Sequence, residues 1–297
     1  RARRALVVAE VALAIALTVG AGLLIRSLRT LMSGDPGFDP HNVATLPISL
    51  PENKYTDGSR VVAYFDQLLA GVRAIPGVRA ASIVNSVPFD GNRIGGGIVT
   101  DAEPQGTGKG ADYRLTADDY FTTMRIPLVQ GRSFGPNDTD GAPQVAVVTR
   151  AFANAAWPNE NPIGRRFKWT PKFDNHDDWL TVVGVVENTK SFAADDGSGP
   201  AVYVSYRQRP ERALEGVTLL VSYTGSERTV LAAVRRQTVA LDRDVPIEFS
   251  SVSAVVAASV AYRRFIMLVM SGFGVFALFL AALGVFGVLA YSVARRQ

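Results

Sequence analysis

The sequence predicts an α+β protein in which two transmembrane helices flank a central domain. Three observations support this prediction: a long apolar run near each end of the chain, two strand–helix–strand patterns, and a Gly-rich stretch of short strands between those patterns. Two strand–helix–strand units can complete one sheet with both helices on one face, as in a split βαβ domain. The stretch between them is then a β-rich insertion into that domain.

The apolar run near the end of the chain extends from Phe265 to Val293 without a charged residue, and Arg295 and Arg296 follow it. A helix rises about 1.5 Å per residue and a bilayer core is about 30 Å thick, so roughly 20 residues are enough to cross it. A helix buried in a soluble core needs partners on every side, and the remaining chain is too small to supply them. This run therefore predicts a transmembrane helix.

A second apolar run near the start, Ala5 to Ile25, is interrupted only by Glu10. A signal peptide is the competing interpretation, with Val19 and Ala21 as a cleavage pair. The apolar core of a signal peptide is usually about 7–15 residues long, whereas this run is longer and continues past that site. We therefore predict a retained transmembrane helix.

Charged residues mark the ends of both runs. Glu10 lies little more than one turn inside the lipid boundary, within reach of Arg3 or Arg4, so a surface ion pair and a functional role are both open. The residues predicted to lie at the membrane boundary are Arg3, Arg4, Glu10, Arg263, Arg264, Arg295 and Arg296. Five arginines at the outer ends against four at the inner ends favour cytoplasmic termini by a narrow margin.

The chain carries 31 Lys and Arg against 27 Asp and Glu, a net charge of +4. Nine of the arginines flank the two apolar runs, and without these and Glu10 the central domain has 22 basic and 26 acidic residues. The basic excess thus belongs to the membrane boundary, and the electrostatic pattern of a nucleic-acid-binding protein is missing. The absence of cysteine excludes disulfides, thiolate metal sites and cysteine nucleophiles.

Small residues recur on one side of each predicted transmembrane helix, and this pattern predicts close helix packing. They are Ala12, Ala16 and Gly20 in the first helix, and Gly272, Gly274, Ala277, Ala281 and Gly284 in the second. Membrane helices are rich in Ala and Gly, so chance spacing is the alternative.

The first strand–helix–strand unit follows a turn-rich stretch that ends at Pro40. We predict strands over Asn42 to Leu50 and over Val78 to Val87. Between them, apolar residues recur at three- and four-residue spacing and therefore share one helical face. These residues are Val61, Phe65, Leu68, Leu69 and Val72.

The second unit begins with an alternating pattern from Val217 to Tyr223, which predicts a strand with one face on a core. Ser226 is a candidate cap for the helix that follows. The apolar face of that helix carries Val230, Leu231, Val234 and Leu241. We predict a closing strand over Val245 to Val252 and a linker helix over Ala254 to Arg264.

The stretch between the two units is predicted as short strands, brief helices and Gly-rich turns. The strands are Gln144 to Thr149, Trp179 to Val186 and Ala201 to Tyr206; the helices are Asp118 to Met124 and Arg150 to Trp157; the turns are Gly95 to Gly97 and Gly106 to Gly110.

No catalytic motif has the spacing that its chemistry requires. Gly106 to Gly110 resembles a phosphate-binding loop but lacks the earlier Gly and the Ser or Thr after its Lys. Asp174 to Asp178 could gather ligands around a divalent cation, but consecutive residues rarely all face one ion. Asp138 to Gly141 begins like a calcium loop without the later Glu. We therefore predict no catalytic, cofactor or metal site and no enzymatic activity.

Three stretches of the chain resemble the MacB/FtsX-like family of ABC transporter permeases. They are the first apolar run with the DPGFDPHNV that follows it, YFDQLLAGVRAIPGV from Tyr64 to Val78, and the closing LAALGVFGVLAYSVARR. The resemblance covers nearly the whole chain and is closest to the duplicated, acidobacterial-type permeases.

This resemblance implies a periplasmic domain of two lobes, cytoplasmic termini and a place in the bacterial inner membrane. It divides the chain into a transmembrane helix at 1–32, a porter-like α/β lobe at 41–88 and 214–252, an inserted β-rich lobe at 89–213, and a linker helix with the second transmembrane helix at 253–297. The implied partners are a separate cytoplasmic ABC ATPase subunit, a second permease module in a homo- or pseudo-dimer, and the lipid bilayer.

We therefore expect a permease segment of an ABC-type export or mechanotransmission system, which transmits ATPase-driven motion to a periplasmic domain. Members of this family have at least four spans, so we expect the chain to be a fragment of such a permease. An extracytoplasmic sensor domain of a two-span receptor is the alternative. The missing catalytic residues disfavour a third class, the membrane-anchored hydrolases.

Overall fold

The computed structural model describes residues 36–294, apart from 52, 93, 102, 104–109, 171–172, 174–177 and 191–198, together with eight positions between 12 and 26. The chain divides into two compact units. One unit is Asp35–Ser259, which we call the central domain, and the other combines Arg1–Gly34 with Val260–Gln297. All the described strands lie in the central domain.

The described strands are β1 Val43–Ile48, β2 Val78–Val84, β3 Gly95–Thr100, β4 Gly110–Thr116, β5 Leu128–Gly131, β6 Val145–Thr149, β7 Arg166–Trp169, β8 Leu180–Val186, β9 Ala201–Ser205, β10 Val217–Tyr223 and β11 Ser250–Ser251. The helices are α1 Gly58–Arg73, α2 Tyr120–Met124, α3 Arg150–Ala156, α4 Pro210–Leu214, α5 Glu227–Leu241 and α6 Val252–Ala294.

Four strands and two helices form what we call the first lobe. The strands run antiparallel in the order β11-β1-β10-β2, and α1 and α5 cover one face of them. The predicted helical face of α1 is confirmed, since all five of its apolar residues are buried. They share one core cluster with Leu46 of β1, Leu219 of β10 and Val234 of α5.

Strand β10 is buried on both faces, although its alternating pattern predicts a single buried face. Leu219 and Val221 pack with the two helices, whereas Leu220 on the other side packs in a second cluster with Tyr120 and Met124 of α2. The prediction was wrong because the inserted sequence supplies α2, which covers the second face of the sheet.

Six strands form a closed ring that we call the second lobe. They pair in the order β4-β3-β7-β8-β6-β9, and β9 also pairs with β4, so the ring closes. Strand β5 pairs with β8 outside this ring. The predicted strands at 144–149, 179–186 and 201–206 are confirmed as β6, β8 and β9, whereas β3, β4, β5 and β7 were not predicted.

The glycines at 95–97 form part of β3 rather than the predicted turn. A Cβ placed on Gly95 would lie 2.3 Å from the carbonyl oxygen of Ala111 in β4, and one on Gly96 would lie 2.5 Å from Cβ of Phe173. Glycine is therefore required here because neighbouring segments of the chain approach closely, and not because the backbone turns. Of the second predicted turn, Gly110 begins β4 and residues 106–109 lie outside the described ones.

The predicted closing strand Val245 to Val252 is reduced to the two residues of β11, which pair with Ala44 and Thr45. Pro246 has no backbone N–H to donate to a ladder, which disfavours a longer strand. Val252 instead begins α6 and is fully buried in the second cluster. The predicted linker helix is therefore not a separate element, because it lies within α6.

Large apolar side chains are exposed along α6. Phe265, Leu268 and Phe286 are 64, 68 and 70 % exposed. No helix in the described part of the chain combines the length and the apolar character needed to cross a membrane. The two transmembrane helices therefore stay predictions from the sequence.

Candidate functional site

The candidate functional site is a charged cluster at the junction of the two lobes. Asp66 lies in α1 of the first lobe, Asp118 follows β4, and Tyr206 and Arg207 follow β9. Arg207 donates from Nη1 to both carboxylate oxygens of Asp118 at 2.7 Å, and from Nη2 to Oδ1 of Asp66 at 2.7 Å. The hydroxyl of Tyr206 donates to the same oxygen of Asp66. One guanidinium thus holds carboxylates from both lobes.

The strand register of the second lobe brings these residues together. Strands β4 and β9 run parallel, with Thr116 opposite Ser205. Asp118 and Arg207 each lie two residues beyond that pair, so they leave the same edge of the sheet side by side. Asp66 follows the buried Phe65 and lies at the border of the α1 face that covers the first lobe.

The cluster is mostly shielded from water. The side chains of Arg207 and Asp118 are 12 and 18 % exposed, whereas that of Asp66 is 42 % exposed. Burial acts to lower the pKa of Arg207, but its hydrogen bonds to Asp118 and Asp66 outweigh this and hold the pKa above its ordinary value. Burial raises the pKa of Tyr206, and the hydrogen bond to Asp66 adds to that effect. The arginine thus stays cationic and the tyrosine protonated, as in a fixed structural contact.

A second ion pair ties the end of α1 to the same region. Arg73, the last residue of α1, places Nε 3.0 Å from Oδ2 of Asp119. The same side chain donates to the carbonyl oxygen of Ala81 in β2, from Nε at 3.1 Å and from Nη2 at 2.9 Å. Since Asp119 directly follows Asp118, α1 is linked at two points to the segment that leads into α2.

An apolar contact through α2 completes the junction. Tyr120 and Met124 are buried against Leu220 of the first lobe and Tyr203 of the second. The rings of Phe121 and Tyr203 meet edge to face, with centroids 4.9 Å apart, which is a favoured geometry for aromatic pairs. Burial raises the pKa of both Tyr120 and Tyr203. The two lobes thus share one core, and rotation of one against the other would expose it.

The segment before β1 is joined to the end of α2 by a hydrogen bond and an ion pair. The backbone N–H of Asp39 donates to the carbonyl oxygen of Met124 at 3.0 Å, and its carboxylate pairs with Arg125. The N–H of His41 donates to Oδ1 of Asp39 at 2.9 Å, and this bond is the largest cause of the lowered pKa of Asp39. The chain therefore comes into the central domain directly at the junction.

The small residues predicted for packing of the first helix are Ala12, Ala16 and Gly20. All three are helical; the two alanines are exposed and Gly20 is half-buried. A Cβ placed on Gly20 would meet no described atom within 4 Å. Packing through this side of the helix stays a prediction.

The small residues predicted for packing of the second helix all lie in α6. Gly272 is exposed, Gly274 is buried and Gly284 is half-buried. The side chains of Ala277 and Ala281 lie outside the described ones. Packing through these residues likewise stays a prediction.

Most predicted membrane-boundary residues lie outside the described part of the chain: Arg3, Arg4, Glu10, Arg295 and Arg296. Arg263 and Arg264 belong to α6, but their side chains are also outside it. Both roles considered for Glu10, a surface ion pair and a functional role, therefore stay predictions from the sequence.

The sequence offers two acidic stretches as possible metal sites, Asp174 to Asp178 and Asp138 to Gly141. Where the structure describes these stretches, the carboxylates of Asp178 and Asp138 contact arginines. Residues 174–177 lie outside the described ones, and Asp178 lies 3.7 Å from Nη2 of Arg209. Asp138 accepts from Nη1 and Nη2 of Arg132 at 2.7 and 2.9 Å and from the N–H of Gly135 at 2.9 Å. No group of three or more His, Asp or Glu among the described residues is placed to hold a metal.

Sequence reasoning missed the junction cluster because its members are far apart in the chain. Asp66 and Arg207 are separated by 141 residues, and neither belongs to a motif. A partial signal exists, since Asp118 and Arg207 both lie just beyond the end of a strand, where charged side chains of neighbouring strands can meet.

Residues 5–241 match the model of a protein family described as the MacB-like periplasmic core domain. The matched region extends from the first apolar run to the end of α5. It therefore contains the first strand–helix–strand unit, all six strands of the ring, and strand β10 and helix α5 of the second unit. A comparison with curated protein sequences finds no match.

Two solved structures are similar to parts of the chain. One is the periplasmic region of MacB from Actinobacillus actinomycetemcomitans, with 15 % identity, a TM-score of 0.47, and coverage of 76 % of this chain and 95 % of that chain. The other is the extracellular domain of the noncanonic ABC-type transporter YknZ from Gram-positive bacteria. Its identity is 11 %, its TM-score is 0.44, and the similarity covers 70 % of this chain and 98 % of that chain.

Proposed function

Because the chain belongs to the family of MacB-like periplasmic core domains, we propose that it is a permease segment of an ABC-type export or mechanotransmission system. A separate cytoplasmic ATPase subunit supplies the energy in this proposal, and the chain transmits the resulting motion to its extracytoplasmic domain. The family match over residues 5–241 is the observation that carries the proposal.

The proposal divides the chain as its sequence suggests. Residues 1–32 form the first transmembrane helix, 41–88 and 214–252 the porter-like lobe, 89–213 the inserted lobe, and 253–297 the linker and second transmembrane helix. The strand order supports this division, because β1, β2, β10 and β11 are neighbours whereas β3, β4 and β6 to β9 close a ring.

In this proposal the two apolar runs cross a bacterial inner membrane, and the central domain lies on its outer side. The exposure of Phe265, Leu268 and Phe286 supports an apolar environment for α6, since leaving such a side chain in water forfeits about 1.5–3 kcal/mol relative to burial. The bilayer and a second permease module, in a homo- or pseudo-dimer, are the remaining partners.

The junction between the lobes indicates how motion would pass through the domain. Val252 at the start of α6 is fully buried in the cluster that contains Tyr120 and Leu220. A displacement of this end of α6 would move α2, and through α2 both lobes. The ion pairs of Arg207 with Asp66 and Asp118 would resist any separation of the lobes. These contacts favour a domain that moves as one body.

A flexible insertion tests this mechanism in the full-length permease with its ATPase. A Gly/Ser stretch placed within Ala254 to Arg264 should leave ATP hydrolysis intact but abolish export, because a flexible segment cannot transmit force. The same insertion within Leu28 to Met32 should act alike.

The matched control is the same stretch inserted between Asp140 and Gly141, which are both exposed in a surface turn. It should leave hydrolysis and export unchanged. Normal export by the Ala254 to Arg264 variant would rule out transmission through this helix.

A further inference from the structure

A groove beside the C-terminal end of α5 carries positive charge that its neighbours do not neutralise. It has a volume of about 700 Å³, and the residues that line it include Lys54, Arg235, Arg236, Val239, Asp242, Arg243 and Asp244. Arg235, Arg236 and Arg243 are exposed, and none of them has an ion-pair partner among the residues that the structure describes.

The two acidic residues of the groove are already used. Asp242 accepts from Nζ of Lys54 at 2.8 and 2.9 Å and from the hydroxyl of Tyr55 at 3.0 Å. Asp244 accepts from the same Nζ at 2.9 Å. The bond from Lys54 is the largest cause of the lowered pKa of Asp242. Both carboxylates are thus bonded to Lys54, and the four cations of the groove outnumber its two carboxylates by two.

The helix dipole does not account for Arg235 and Arg236. A dipole favours cations only within the last turn of a helix. Arg235 and Arg236 lie more than one turn before Leu241, the last residue of α5, and that last turn contains no basic residue. Their exposed positions are thus free to face a partner.

The same side of α5 presents an apolar residue between the charges. Arg235 and Val239 are four residues apart and lie one above the other on the helix surface. Val239 is 37 % exposed, and it is one of only three large apolar side chains of the described central domain that are so exposed, beside Leu128 and Val129. A partner here would meet an apolar contact surrounded by cations.

The topology places this groove away from the points where the chain joins the central domain. Val43 pairs with Ser222, and Ala44 pairs with Ser251, so the chain enters and leaves at one end of the sheet. Helix α5 starts near that end, after Tyr223, and its length of about 22 Å takes its last turn towards the other end. The contact of Lys54, which follows β1, with Asp242 lies at that far end.

We propose that this groove docks an acidic segment of a partner protein, with carboxylates against Arg235, Arg236 and Arg243 and an apolar side chain against Val239. A groove that combines cations with an exposed apolar side chain fits a protruding peptide segment better than a layer of lipid headgroups. Both chain ends also leave the domain at the opposite end of the sheet, and in the proposed function they lead to the bilayer. Only this last argument rests on that function; the charge and shape arguments do not.

The test uses the full chain in detergent micelles and a fluorescein-labelled Glu-rich peptide with one central Leu, whose binding is followed by anisotropy at low salt. The wild-type chain should bind it, and added salt should weaken the binding. Arg235→Glu should weaken it about tenfold, because it removes one attraction and adds a repulsion. The matched control Arg79→Glu makes the same charge change at an exposed arginine of β2 and should alter affinity less than about twofold.

A second variant keeps the proposal testable without a charge reversal. Val239→Ser should weaken binding by removing the apolar contact, and circular dichroism should confirm that it folds. Equal losses for Arg235→Glu and Arg79→Glu would overturn the proposal, since they would show general attraction to a cationic chain.

Binding of glycerol phosphate with the same dependence on Arg235, when the peptide does not bind, would assign the groove to a lipid headgroup and overturn the choice of a protein partner. None of these measurements involves ATP hydrolysis or export. A failure here therefore leaves the proposed permease function to its own test.

Discussion

Nη2 of Arg207 lies 2.7 Å from Oδ1 of Asp66, and this contact joins the ring of the second lobe to helix α1 of the first. The same guanidinium holds Asp118, whose side chain is only 18 % exposed. A buried ion pair contributes little net stability, but removing one partner leaves an uncompensated charge. The junction is therefore most sensitive to substitutions that remove Arg207 alone.

Substitution Arg207→Met should lower the free energy of unfolding by about 3–5 kcal/mol, because Asp118 loses its only ion-pair partner among the described residues. The double variant Arg207→Met with Asp118→Leu should recover part of this loss, since it removes both charges. Urea unfolding of the full chain in micelles, followed by tryptophan fluorescence, measures the free energy of unfolding of both variants. The three tryptophans, Trp157, Trp169 and Trp179, all lie in the central domain.

Arg79→Met is the control for that series, because Arg79 is exposed and has no ion pair among the described residues. It should change stability by less than about 0.5 kcal/mol. If Arg207→Met unfolds at the same urea concentration as the control, the cluster does not hold the lobes together.

Thr149 caps α3 and at the same time bonds β9. Its Oγ1 accepts from the N–H of Phe152 at 3.3 Å and from the N–H of Ala201 at 3.0 Å, and the residue is fully buried. Thr149→Val keeps the shape but leaves these donors unsatisfied, which should cost about 1–3 kcal/mol in the same unfolding assay.

Ser226 is the matched control for the cap. The sequence predicts that it caps α5, but its side chain makes no cap hydrogen bond, so this prediction was wrong. Ser226→Ala should therefore change stability by less than about 0.5 kcal/mol. A larger loss for Ser226→Ala than for Thr149→Val would contradict the hydrogen bonds of Thr149 and the missing cap hydrogen bond of Ser226.

The close approach of β3 and β4 makes a third prediction. A Cβ on Gly95 would lie 2.3 Å from the backbone oxygen of Ala111, so Gly95→Ala must push two paired strands apart. The expected loss is about 1–3 kcal/mol.

Gly135→Ala is the control, because a Cβ there would meet nothing within 4 Å. It should be neutral or stabilise by up to about 1 kcal/mol, since alanine restricts the unfolded chain. Equal stability of the two variants would contradict the geometry of β3.

Local periodicity explains what the sequence could predict. The three- and four-residue spacing of α1 is a property of neighbouring residues, so Phe65 and Leu69 reveal the helix without any knowledge of the fold. The strands β6, β8 and β9 are likewise apolar along their own length. Each of these elements specifies its own conformation before it finds its partners.

Long-range contacts explain what the sequence could not predict. Gly95 looks like a turn residue until Ala111 is known to lie against it. Arg207 has no neighbour in the chain that indicates Asp66, because the register of β4 and β9 brings them together. The sequence alone does not show that the charge of Arg235 is unpaired among the described residues. The structure shows it, because Lys54 binds the nearby carboxylates of Asp242 and Asp244.

Asp138 gives the stability of the domain a dependence on pH. Its carboxylate, 8 % exposed, accepts hydrogen bonds from Arg132 and from the N–H of Gly135. Burial alone would raise its pKa, but these bonds outweigh burial and lower it below the usual value of about 3.9. A carboxyl whose pKa is lower in the folded state adds stability above its unfolded pKa, and this stability is lost as pH falls through the folded pKa.

Asp138→Asn should therefore lower the free energy of unfolding at neutral pH by about 1–3 kcal/mol, because the charge-assisted bonds are lost. Its difference from the wild type should begin to shrink below about pH 4, where the carboxyl protonates in the unfolded state, and should be lost as the pH falls through the lower pKa of the folded state. Asp140→Asn is the control, since Asp140 is exposed in the same turn and makes no ion pair among the described residues. Urea unfolding of both variants across this pH range measures the effect. A difference between Asp138→Asn and the wild type that stays constant down to the lowest pH would show that the loss comes from shape and not from charge.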